Sequence, residues 1–76
     1  MEPIYFIIEK YTSTIGIWIE VDGSIRPNTK EAALQAALKM KNDFLKTRKD
    51  HEKTVQFSIV PVYNSKGTRL VVEDNA

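Results

Sequence analysis

Residues 28 to 45, NTKEAALQAALKMKNDFL, are the one stretch of this chain whose apolar residues recur at helical spacing. Ala33, Leu34, Ala37, Leu38, Met40, Phe44 and Leu45 fall three or four apart, so they share a stripe. Gln35, Lys39, Asn42, Asp43 and Lys46 take the opposite side. Asn28 is placed to cap the free N–H groups of the first turn, with Glu31 reaching back three residues later. Runs rich in β-branched and aromatic residues lie both before and after this segment. A single helix among several strands predicts one sheet with one helical layer on one of its faces.

The flanking runs resolve into four strands. Ile4 to Tyr11 and Ile15 to Val21 are separated by Thr12-Ser13-Thr14, and Asp22-Gly23-Ser24 provides a turn before the helix. Val55 to Tyr63 and Thr68 to Glu73 follow it, joined by Asn64-Ser65-Lys66-Gly67, with Gly67 available for a left-handed position. Pro61 lacks a backbone donor and so predicts an outer edge or a bulge near the end of the third strand. The order is β-β-α-β-β, an α+β fold in one domain spanning residues 1–76, with an antiparallel-rich sheet of four strands on one long amphipathic helix. Residues 46 to 54, KTRKDHEKT, contain nothing apolar and predict either a solvated extension of the helix or a loop.

Alternation along a strand decides what faces the helix. Ile4, Phe6 and Ile8 share one side of the first strand, and Ile15, Ile17, Ile19 and Val21 one side of the second. Placing both sets on the helix face avoids burying Glu9 or Glu20 there, which would cost several kcal/mol per unpaired carboxylate. Val55, Phe57, Ile59, Leu70 and Val72 complete the expected core. The reverse face then carries Tyr5, Ile7, Tyr11 and Trp18, with Val60, Val62 and Val71, and with Glu9, Glu20 and Arg69 among them. One helix cannot cover both faces of a sheet. An aromatic and aliphatic patch edged by charge has the composition of a protein interface.

Several chemistries are disfavoured by what is missing from the sequence. The chain of 76 residues has no cysteine and one histidine, His51, set in a wholly polar run. No disulfide framework, thiolate metal site or nucleophile-elbow motif is present, and the scattered glycines form no phosphate-cradling loop. Catalytic, cofactor and metal residues are therefore expected to be absent, and the chain to be non-enzymatic. The N-terminus lacks a basic leader, and Glu9 and Lys10 interrupt its apolar run, which predicts a cytoplasmic protein without a membrane span.

Lys39, Lys46, Arg48, Lys49 and Lys53 form a basic strip along the helix and its extension, the alternative candidate surface, suited to phosphate backbones. A formal net charge of +1 and the interspersed Asp43, Asp50 and Glu52 rank nucleic acid below a protein partner. The run GIWIEVDGSIRPNTKEAA, residues 16 to 33, resembles the strand-turn-helix opening of small DNA-binding domains of phage integrases. That resemblance implies a nucleic-acid-binding, mobile-element-encoded protein. The second hairpin and the strands without interleaved Arg and Lys depart from it. The reading that emerges is a small interaction module, adaptor-like or inhibitor-like, that binds a protein partner or a second copy of itself through Tyr5, Ile7, Tyr11 and Trp18.

Overall fold

A computed structural model describes residues 2–21, 23–47 and 55–73. It has the expected α+β architecture. Strands β1 (Tyr5–Thr12), β2 (Trp18–Glu20), β3 (Val55–Val62) and β4 (Leu70–Val72) form one antiparallel sheet in the order β2-β1-β3-β4. Among the described residues there is one helix, α1 (Lys30–Thr47), which falls between β2 and β3 in chain order. The long strands β1 and β3 are central and pair along their whole length, from Tyr5↔Val62 to Thr12↔Val55.

The helix begins one residue later than the sequence suggests. The Thr29 hydroxyl, not Asn28, accepts from the Ala32 amide at 3.2 Å. That shift puts Ala32 where the capping box needs an acid, so Glu31 stays in the first turn and contributes only by its charge near the positive end of the helix dipole. Ala33 and Ala37 on the helix are fully buried, and their small side chains let the helix backbone settle close to the sheet. Phe6, Ile8, Ile59 and Val72 meet them from below, with Leu34, Leu38 and Met40 packed at the margins. Phe57 is buried beside this cluster and meets Phe44 edge-to-face at 6.1 Å. Leu45, expected on the buried stripe, is exposed.

The proline in β3 is accommodated as its chemistry requires. Even-numbered residues of β3 point their backbone groups at β1, so those of Pro61 point the other way, where β4 has already ended beyond Leu70. No ladder bond is lost, and the Pro61 carbonyl accepts from the Gly67 amide at 2.7 Å. Gly67 is needed for closeness, not for a left-handed backbone. A Cβ there would stand 2.9 Å from the Tyr63 ring and 3.1 Å from Pro61 Cγ. Positive φ occurs instead at Gly16, at 83°, just after the turn that follows β1.

The largest departure concerns β2. The expected strand from Ile15 to Val21 shrinks to three residues. The register Lys10↔Ile19 does put Ile19 on the helix side of the sheet. Yet the helix packs on β3, β1 and β4 and leaves β2 uncovered. A helix is about 10 Å across and strands lie about 4.8 Å apart, so one helix shields two or three strands, not four. Ile15, Ile17, Ile19 and Val21, assigned to the core from sequence, are accordingly 57%, 60%, 44% and 37% exposed. Ile4 and Leu70 are likewise corrected from buried to exposed: Ile4 precedes β1, and Leu70 opens the edge strand β4.

Candidate interaction surfaces

The face of the sheet opposite the helix is not an open apolar patch. At its centre Ile7 and Val60 form a cross-strand pair and are both buried, as are their neighbours Glu9 and Ser58. Ile7 was expected to supply contact area; it supplies packing instead. Tyr5, Tyr11 and Trp18 remain half-exposed, and Tyr11 and Trp18 pair across β1 and β2 with ring centroids 5.5 Å apart.

Charged side chains overlay this face. Glu9 and Glu20 stand opposite one another across β1 and β2, an unfavourable like-charge pair if left alone. Each has its own cations. Arg69 reaches Glu9 at 2.7 Å and Lys66 reaches its other oxygen at 3.2 Å. Arg26 grips Glu20 through two nitrogens, at 3.0 and 3.1 Å. The same two arginines lie over aromatic rings, Arg69 4.5 Å from the Trp18 centroid and Arg26 5.2 Å from that of Tyr5. The Glu9 side chain is only 4% exposed. Burial alone would raise its pKa, but the hydrogen bonds and charges of Arg69 and Lys66 outweigh that and hold it below the ordinary carboxylate range.

On the helix side, the surface over β2 is of another kind. Ile15, Ile19 and Val21, with Lys10, Thr12 and Glu20, line a shallow groove of about 190 Å³. Lys10 extends 4.7 Å over the Phe44 ring and marks where the helix-covered core stops. Beyond it lies a strip of aliphatic side chains and then the outer edge of β2, with which no described residue pairs. Four branched side chains exposed to this extent offer on the order of a few hundred Å², the scale at which a surface patch on a small protein is commonly functional.

The free backbone groups on that edge can be named. The Val21 amide donates to the Ile8 carbonyl at 2.9 Å, so Val21 and, two residues back, Ile19 turn their backbone groups toward β1. Trp18 and Glu20 therefore turn theirs outward. Edges of this type are blunted by shortness, charge, a lysine, a proline or a bulge. Strand β2 is short and carries Glu20, whose charge Arg26 offsets, and residues 15–21 contain no lysine or proline.

Of the alternative basic strip, Lys39 and Lys46 lie exposed on α1, while Arg48, Lys49 and Lys53 lie outside the described residues, as does His51. A second hollow, of about 400 Å³, opens beside the start of the helix among Phe6, Thr29, Lys30, Pro61, Tyr63 and Leu70. Among the described residues, no group of three or more His, Asp or Glu is arranged to hold a metal ion, and no helix is long and apolar enough to cross a membrane. No family model matches the chain, and neither a curated protein nor a solved structure is significantly similar to it. The integrase-like run at residues 16 to 33 thus stands as a local similarity only.

Proposed function

We propose that this chain is a small non-enzymatic interaction module that docks a protein partner along the β2 edge of its sheet. The observation that carries the reading is the coincidence, on residues 15–21, of an uncovered aliphatic strip with an unpaired strand edge. Strand addition supplies main-chain hydrogen bonds, and alternate side chains supply selectivity. Trp18, one of the four residues singled out from sequence, sits at the centre of this edge, braced by Arg69 and Tyr11. Tyr5 and Tyr11 lie further in on the reverse face and would edge such a contact.

A photo-crosslinking amino acid at Ile17, the most exposed of the four aliphatic residues, tests the reading in living cells. Discrete protein adducts from position 17, and none from the same probe at Lys39, are the expected result. Adducts from Lys39 alone, or adducts to nucleic acid, would overturn it.

A further inference from the structure

Resting on that reading, we infer that the occupant of the β2 edge is a second copy of the chain, joined antiparallel about a twofold axis at Ile19. The register follows from the backbone. Trp18 and Glu20 present the outward N–H and C=O groups, so they must form the hydrogen-bonded pairs, each with the other residue of the second copy. Ile19 then faces Ile19 of the second copy in the non-hydrogen-bonded position. Two neighbouring twofold registers are disfavoured. One centred on Glu20 sets the two carboxylates face to face. One centred on Trp18 pairs Glu20 with Gly16, whose φ of 83° lies outside strand geometry.

Side chains agree with the backbone on both faces. On the helix side, Ile17 meets Val21 of the second copy and Ile19 meets Ile19, forming one continuous aliphatic strip in the trough between two helices. On the reverse side, Glu20 of the second copy comes beside Trp18, over which Arg69 lies at 4.5 Å. That carboxylate, already held by its own Arg26, comes near a second cation, while the two Glu20 side chains stand only diagonally to one another, each neutralised by its Arg26. The interface is self-complementary, as twofold symmetry demands. It is also small, so the dimer should be weak and reversible, dissociating on dilution.

Because the chain has no native cysteine, single cysteines report the register directly. Across a non-hydrogen-bonded pair the Cα atoms lie about 4.5 Å apart, within disulfide range, whereas position 17 would sit about 14 Å from its symmetry mate. Under mild oxidation at micromolar protein, Ile19→Cys should form a disulfide-linked dimer about a hundredfold faster than Ile17→Cys, since a preassembled pair has an effective concentration near millimolar. Random collision predicts the reverse order, because residue 17 is the more exposed of the two. Sedimentation of the unmodified chain should show mass rising with concentration. Equal or inverted crosslinking rates, or a monomer at all concentrations, would overturn the self-pairing. In that event, protein adducts from position 17 would leave the docking edge standing with a different partner, and their absence would remove both.

Discussion

The Glu9 cluster makes an asymmetric prediction. Glu9 is buried, while its partners reach solvent, with side-chain exposures of 35% for Arg69 and 60% for Lys66. Replacing the acid therefore strands little. Glu9→Gln keeps the shape, frees two cations that water can solvate, and forfeits charge-assisted hydrogen bonds worth about 1–2 kcal/mol together. Arg69→Met instead leaves a buried carboxylate with Lys66 alone. Breaking a fully buried pair costs about 3–5 kcal/mol, and the remaining lysine together with solvent at the rim lowers this to about 2–3 kcal/mol. In a chain of this size that separates the variants by roughly 4–8 °C in melting temperature per kcal/mol.

The pH dependence carries the sign. The folded-state pKa of Glu9 lies below its ordinary value of 4.5, so its contribution is present above that value and is lost as the pH falls toward the folded pKa. Urea denaturation at pH 7, 5, 4 and 3, at one protein concentration, should show the deficit of Arg69→Met shrinking as Glu9 takes up a proton. Glu9→Gln should lack the corresponding part of the wild-type acid slope. If Glu9→Gln is the more damaging at pH 7, or if all profiles run parallel, the assignment of Glu9 as a paired buried carboxylate is wrong.

Other expectations follow from the packing. Ile59→Ala should destabilise by about 2–5 kcal/mol and Ile17→Ala by no more than about 0.5 kcal/mol, a contrast measurable by chemical denaturation. The sequence alone, treating both as core, would place them together. Ala37→Leu should cost about 1–3 kcal/mol, because the helix rests on the sheet through that small side chain; a neutral result would mean the two layers are further apart than described. Gly16→Ala should cost about 1–2 kcal/mol purely from its φ of 83°, since no atom lies within 4 Å of the added Cβ. Gly16→Asn should recover part of that loss, which a steric origin would not allow. Thr29→Ala should lower stability by about 1 kcal/mol and Asn28→Ala by much less, the reverse of the order implied by the sequence.

What could be read from the chain, and what could not, divides along the line between local and lateral information. The helix, the four strands, the antiparallel pairing within each hairpin and the shared face of Glu9 and Glu20 follow from alternation and spacing, which are properties of a segment and its chain neighbour; the central pairing of β1 with β3 does not. The burial of Ile15, Ile17, Ile19 and Val21 does not follow from those properties. The register puts Ile19 on the expected side of the sheet, but burial also depends on how far sideways the helix reaches, and that is set by strand order. One local signal did mark the limit. The face carrying Phe6 and Ile8 continues to Lys10, so the row that would lead from the core toward Ile19 is broken by a cation. Similarly, Arg26, Lys66 and Arg69 come from turns and loops remote in sequence, so their convergence on Glu9, Glu20 and the aromatic rings is invisible before the sheet is assembled. The proposed docking surface therefore lies elsewhere on the sheet than the one composition pointed to. The aromatic face is occupied by the protein's own cations, and the aliphatic residues that looked like core are the ones left without cover.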